Sequence, residues 1–202
     1  MYLTHLSLPD RVIPDVHILH TLTMAGFPNL ELGSQARAHF GVLFQVVGDR
    51  DIMVQSDAEP DPETWDGLGI TVTTRVVDRQ VAAGQQFMLR TVVNPTRSVP
   101  AGPGKRGYRV GIHDDDAATE WVTRRLEAAG FHVEPNQLRV GPEISMRSHR
   151  RRSLRVDTRE VTAQVTVSDP DPAQQTIRTG LGRSAAYGCG MLLLRPAAAM
   201  AT

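Results

Sequence analysis

Cysteine, lysine and aromatic residues are all scarce in this chain of 202 residues. Cys189 is its single cysteine, which excludes a disulfide framework and a cysteine-bound zinc site. A reducing, cytoplasmic setting is the expectation that follows. Long apolar runs are missing too: stretches such as residues 42–44 and 191–194 fall far short of the roughly 20 residues a bilayer crossing needs. The opening segment MYLTHLSLPD has neither a basic start nor a long apolar stretch, so no secretory signal is expected. Disorder is excluded from the other side. Hydrophobic residues make up 41% of the chain and charged residues 22%, an ordinary balance for a chain that buries a core. The length suits one large domain or two small ones.

The formal net charge is zero, but the two halves differ. Residues 1–100 hold seven Arg against eleven acids, a net −4, whereas residues 101–202 hold fifteen basic residues against eleven acids, a net +4. Lys105 is the only lysine, so the basic character is almost entirely arginine. A basic half in a neutral chain points to a polyanion as partner.

Hydrophobic periodicity gives a pattern that repeats roughly at half the chain length. Residues 1–8 read as a strand, and Asp15 caps a helix that runs to about Ala25, ended by Phe27-Pro28. Strands follow at 39–47 and 52–55, then an acidic surface loop at 57–67, then strands at 70–77 and 86–93. Residues 94–107 carry three Pro and three Gly and read as a linker or long loop. Beyond it come a short strand at 108–112 and a helix opened by Asp114 to Asp116 and stopped by Gly130. Strand pieces at 131–133 and 138–140, a strand at 161–167, a helix from Asp169-Pro170 to about Thr179 and a last strand at 189–194 complete the chain. The fold class this predicts is α+β, two tandem ferredoxin-like (RRM-like) domains, one over 1–95 and one over 96–202.

Three features carry chemistry. Arg147, Arg150, Arg151, Arg152 and Arg155 fall within nine residues that contain no acid. Packed like charges repel unless solvated or bound to anions, and the guanidinium fork matches phosphate oxygens in pairs. Strand-like sequence on both sides makes this run the tip of a hairpin. Next, Gly180, Gly182, Gly188 and Gly190 lie within eleven residues, with Arg183 and Tyr187 among them. Glycines let the backbone approach a ligand and present N–H groups to an anion, and Tyr187 offers a stacking face. The segment precedes a strand and lacks Gly-Lys-Ser/Thr, so it is neither a dinucleotide fingerprint nor a P-loop. Finally, His17 and His20 stand three residues apart on one helix face. Two imidazoles there suit acid–base work near neutral pH, although a helical pair is more often surface or packed core. No acidic pattern around them makes a metal triad, and Asp114, Asp115 and Asp116 read as a helix start.

Taken together, several motifs resemble the CasE-type CRISPR RNA endoribonucleases, the repeat-processing subunit of type I-E Cascade. They are Met1-Tyr2-Leu3, a histidine near residue 20 followed by Phe27-Pro28, Phe87-Met88-Leu89-Arg90 with Asn94-Pro95, Gly104-Lys105-Arg106, the Trp121 helix, and the closing Gly180-Leu181-Gly182-Arg183 with Gly188-Cys189-Gly190-Met191. The resemblance spans nearly the whole chain. It implies two ferredoxin-like domains and cleavage of a repeat stem-loop without metal or small-molecule cofactor. The RNA's own 2′-hydroxyl attacks, leaving a 2′,3′-cyclic phosphate and a 5′-hydroxyl. It also implies that the protein stays on its product beside other Cascade subunits, away from any membrane. His20 becomes the expected general acid or base. The glycine segment, the Arg147–Arg155 run, Lys105 and Arg106 become the expected RNA contacts. The sequence departs from the family at three positions: His17 stands where the family often has Tyr, Thr21 where it often has Arg, and Ala185 where it often has Lys. A pair of histidines in place of Tyr and His is one outcome. A subunit that holds the repeat without cutting it is the alternative, and a protein scaffold that docks an acidic partner is a third reading.

Overall fold

The computed structural model describes residues 1–11, 15–31, 33–102, 104–148, 150 and 154–197. Its first unit runs β1 (Tyr2–Ser7), α1 (Val16–Met24), α2 (Ala36–His39), β2 (Leu43–Val46), β3 (Asp51–Ser56), α3 (Pro62–Asp66) and β4 (Thr71–Val76). The strands form one antiparallel sheet in the order β2-β3-β1-β4. With α1 between β1 and β2, and α3 between β3 and β4, this is the ferredoxin-like arrangement.

The second unit repeats it. β5 (Gln86–Val93), α4 (Asp115–Ala128), β8 (Phe131–Val140), β10 (Arg155–Val167), α5 (Pro170–Thr179) and β11 (Leu193–Pro196) give the sheet order β11-β5-β10-β8. Two hairpins are grafted onto this frame. One is β6 (Thr96–Val99) with β7 (Tyr108–Gly111), between β5 and α4; the other is β9 (Ile144–Arg147) paired to the start of β10. The expected two ferredoxin-like units are therefore present. Among the described residues no helix is long and apolar enough to cross a membrane.

Local chemistry accounts for the helix starts. The Asp15 carboxylate accepts from the His17 and Ile18 backbone N–H groups at 2.8 and 3.0 Å. Asp114 caps α4 through Ala117, and Asp169 caps α5 with Pro170 in the first turn. Gly130, at φ +76°, ends α4 where an added Cβ would lie 2.2 Å from the Asp169 carbonyl oxygen.

Several expected elements differ. Residues 57–67 are not a plain loop: Asp61 caps α3 and Trp65 is fully buried, donating its indole N–H to the Leu22 carbonyl at 2.8 Å. The run of acids concealed a helix held by one tryptophan. Gly26 is needed opposite, since a Cβ there would fall 2.3 Å from the Trp65 ring. Residues 39–47 are a strand only from Leu43, because Ala36–His39 form a helical turn first. Gln86–Val93 was expected in the N-terminal unit, yet it pairs with β10 and β11 and buries Leu89 and Val93 in the second core. The change of sheet thus falls between Val76 and Gln86, ahead of residue 95. The Pro- and Gly-rich segment at 94–107 is the β6–β7 hairpin rather than a linker. The two strand pieces after Gly130 are one strand, β8, whose register against β10 shifts between Ala163 and Val165. The final strand begins at Leu193; Cys189 to Leu192 are buried in the approach to it.

Each unit has its own core. Leu6, Leu19, Phe27, Phe44, Ile52, Val54 and Trp65 fill the first; Trp121, Leu126, Phe131, Val165 and Ile177 belong to the second. Two smaller clusters join the units. Leu3 and Leu43 meet Met191, and Val16 meets Val156 and Cys189. The buried Gln55 side chain adds a polar tie, donating to the Ile177 carbonyl at 2.8 Å.

Candidate functional site

Helix α1 lies where the β9 hairpin and the glycine-rich segment reach it. Its cap residue Asp15 forms a parallel bridge with Arg147 of β9, and the helix packs on the 3-10 turn Ala185–Tyr187 of the glycine-rich segment. Apolar contact holds this junction: Val16, Val156 and Cys189 are buried together, with Met146, Leu154 and Tyr187 packed around them. The consequence is a cavity of about 450 Å³ walled by His17, His20, Arg37, Ser148, Arg150, Leu154, Ala186 and Tyr187. Residues separated by more than 160 positions in sequence share it, and no carboxylate is among its described walls.

The electrostatics follow from this enclosure. His20 is held below the usual imidazole value of 6.5, first by desolvation, then by the Arg37 guanidinium and by His17; a hydrogen bond with the Ala186 backbone opposes the shift. The ring is therefore predominantly neutral at pH 7. Its Nδ1 is buried without a partner among the described residues. Desolvation also lowers the affinity of the Arg37 guanidinium for its proton, though an arginine stays charged throughout.

The structure sorts the other sequence candidates. Arg150 walls the cavity, and Arg147 stands exposed at the end of β9. Arg151 and Arg152 lie outside the described residues. Arg155 is exposed but engaged: its guanidinium donates to Asp157 at 2.6 Å and lies 3.6 Å from Glu143. Lys105 and Arg106 sit exposed in the β6–β7 hairpin and do not wall the cavity. Arg183 is exposed in the glycine segment, and Tyr187 is half-buried, walling this cavity and a neighbouring one of about 270 Å³ with Leu19, Val92 and Met146.

The four glycines have a use that the sequence alone did not reveal. All four have positive φ, between +81° and +89°. An added Cβ would lie 3.2 Å from Leu43 at Gly180, 3.1 Å from Trp121 at Gly182 and 3.1 Å from Phe44 at Gly188. At Gly190 it would lie 2.8 Å from the Leu181 carbonyl oxygen. The close approach they permit is to the protein's own core and to the facing unit, which seats Ala186 and Tyr187 against α1.

Arg37 is the cavity residue that the sequence did not single out. It sits in the four-residue helix α2 with no motif around it, and only the chain's return past α1 brings it to His20. Elsewhere, His113, Glu143 and Asp157 form the one group with metal-ligand spacing among the described residues. Its atoms are occupied by one another, by Ser145 and by Arg155, and it lies apart from the cavity.

Tandem ferredoxin-like units with a cavity between them, walled by two histidines and two arginines, define a class of two-domain α+β protein. A family profile described as CRISPR associated protein matches residues 1–196, and the chain belongs to that family. Among curated proteins it is similar to the CRISPR-associated endoribonuclease Cse3 of Thermus thermophilus, 25% identical over 157 residues, which are 72% of each chain. Among solved structures it resembles Thermus thermophilus Cse3 bound to an RNA representing a pre-cleavage complex, with a TM-score of 0.81 and 22% identity over 96% of this chain and 98% of that one. It also resembles a chain of E. coli Cascade bound to a PAM-containing dsDNA target, with a TM-score of 0.58 and 19% identity over 98% of this chain and 100% of that one.

Proposed function

We propose that this protein is a metal-independent endoribonuclease that cleaves CRISPR repeat stem-loops in precursor crRNA and stays on the product as a Cascade subunit in the cytoplasm. The observation that carries the reading is the shared cavity: two imidazoles of α1, the glycine segment and the arginine hairpin converge on one space with no carboxylate among its described walls. A phosphodiester is the ligand such walls suit. Membership of the CRISPR-associated family and the likeness to an endoribonuclease over 72% of the chain support the substrate class.

The reaction needs the 2′-oxygen in line with the scissile phosphorus and the departing 5′-oxygen. His20, neutral at pH 7 because it is desolvated beside a cation, accepts the 2′-hydroxyl proton as the new O–P bond forms. His17, one turn away on the same face, gives a proton to the 5′-oxygen as the old O–P bond breaks. The products are a 2′,3′-cyclic phosphate and a 5′-hydroxyl. Such proton transfers contribute about 100- to 10,000-fold each. Arg147 and Arg150 grip the stem through phosphates, with Arg151 and Arg152 between Arg150 and β10 in the same run, so affinity falls steeply with salt. Tyr187 offers a face for an unpaired base.

Cleavage of the cognate repeat in EDTA by the wild-type chain, His17→Ala and His20→Ala tests the assignment. Intact RNA that shifts on a gel with the wild-type chain favours the non-cleaving alternative. Wild-type activity in His20→Ala rejects the chemistry; wild-type activity in His17→Ala removes His17 alone.

A further inference from the structure

We propose that Arg37 is the cation that meets the scissile phosphate in this cavity. The inference rests on the function proposed above and adds a residue to it. Arg37 stands on α2, outside both the arginine run and the glycine segment, yet walls the same space as His17 and His20. One guanidinium nitrogen, Nη1, donates to the Val42 carbonyl at 2.6 Å, and Val42 is itself fully buried. That bond fixes the head of a long side chain and leaves its remaining N–H groups for a ligand.

Among the described residues no carboxylate lies within ion-pair distance of Arg37, in contrast to Arg90 and Arg159, each of which has one, and Arg155, which has two. A half-buried guanidinium without a counter-ion is costly, because one neutral carbonyl replaces only part of the solvent its charge has lost. An anion in the cavity supplies what is missing. A phosphate beside His20 lies within the same enclosure, where the planar fork offers paired donors to its two non-bridging oxygens. Negative charge grows on those oxygens as the 2′-oxygen adds, so a preorganised cation there lowers the barrier rather than merely tightening binding. Arg150 shares the cavity but is exposed, so solvent screens it more strongly.

The test is single-turnover cleavage of the repeat stem-loop at saturating protein by the wild-type chain, Arg37→Ala, Arg37→Gln and Arg37→Lys. Affinity is measured in parallel with an RNA carrying a 2′-deoxy nucleotide at the cut site, and folding by thermal denaturation. Gln keeps a donor for the Val42 carbonyl, which guards against a result caused by unfolding. Arg37→Gln and Arg37→Ala are expected to cleave about 100- to 1,000-fold more slowly, a loss typical of removing one preorganised donor, with affinity for the uncleavable RNA nearly unchanged. Arg37→Lys falls between. Millimolar guanidinium partly restores Arg37→Ala, whereas sodium chloride at equal ionic strength does not. Removing the charge beside His20 also moves the acidic limb of the kcat/KM profile upward in pH, since Arg37 holds the imidazole down. A wild-type rate in Arg37→Gln overturns the assignment while leaving the proposed function standing. So does a loss that tracks melting temperature and ignores guanidinium. A wild-type chain that leaves the repeat whole overturns both.

Discussion

Replacing Gly190 with alanine separates packing from ligand binding in the glycine-rich segment. The residue is buried at φ +88°, and its N–H donates to the Val92 carbonyl at 2.7 Å while its carbonyl accepts from Leu181 at 2.8 Å. Two costs arise on substitution. A side chain at such a φ is strained by about 1–2 kcal/mol. The new Cβ would also lie 2.8 Å from the Leu181 oxygen and 3.0 Å from its nitrogen, both backbone atoms that cannot swing aside. Relief requires parting the Leu181–Gly190 pair, and a buried polar group left without its partner costs about 1–3 kcal/mol. Gly84 is the control, with a φ of +81° and nothing within 4 Å of an added Cβ. Gly84→Ala carries the strain alone. The extra loss in Gly190→Ala is therefore about 1–3 kcal/mol, which for a chain of this size is a further fall of about 2–12 °C in melting temperature. Differential scanning calorimetry of the two variants reads it directly. Equal melting temperatures, with RNA affinity lost only in Gly190→Ala, would refute the packing account and make the glycine a ligand contact.

Trp65→Ala is expected to cost about 3–5 kcal/mol, as large core truncations do, because the ring is fully buried and its loss would leave the Leu22 carbonyl with only the longer bond from the Ala25 N–H at 3.3 Å; chemical denaturation measures it. Cys189 has its thiol pushed up to about 12 by burial, so a thiol reagent at pH 8 should label it only as fast as the protein opens, and rapid labelling of the folded chain contradicts its place between α1 and β10. His20 is held below its unfolded value of 6.5, so the folded state binds its proton less readily than the unfolded state does. The stability this confers is complete above pH 6.5 and fades as the pH falls through the folded value. His20→Asn should lose less melting temperature than the wild-type chain between pH 8 and pH 5, and parallel losses would show that burial of His20 is incidental.

Much of the framework was legible along the chain because it is written in local chemistry. Asp15, Asp114 and Asp169 each offer a carboxylate to free backbone N–H groups at a helix start, and such caps need no knowledge of the rest of the molecule. β5 was legible with both ends, since its β-branched and apolar residues are bounded by turn formers. The acid-free arginine run, flanked by strands, announced its hairpin in the same way. Where local signals misled, a distant partner had overridden them. The acidic stretch at 57–67 holds a helix because Trp65 finds a site beneath Leu22 and Gly26. Gln86–Val93 belongs to the second sheet because β10 and β11 flank it.

The sequence by itself determined the main strands and helices of both units, their order, the basic second half and the pair of imidazoles one helical turn apart. Tertiary structure alone decided what those imidazoles face. Arg37 and Ala186 reach His20 from separate parts of the chain, and burial beside the Arg37 guanidinium lowers the ring's affinity for a proton, against the opposing bond with Ala186. The glycines changed meaning for the same reason: positive φ is a property of one residue, but the Leu43, Phe44 and Trp121 atoms that forbid a side chain there belong to other parts of the fold. A chain specifies its caps and periods within a few residues, whereas desolvation, charge coupling and close approach exist only once distant segments are packed together.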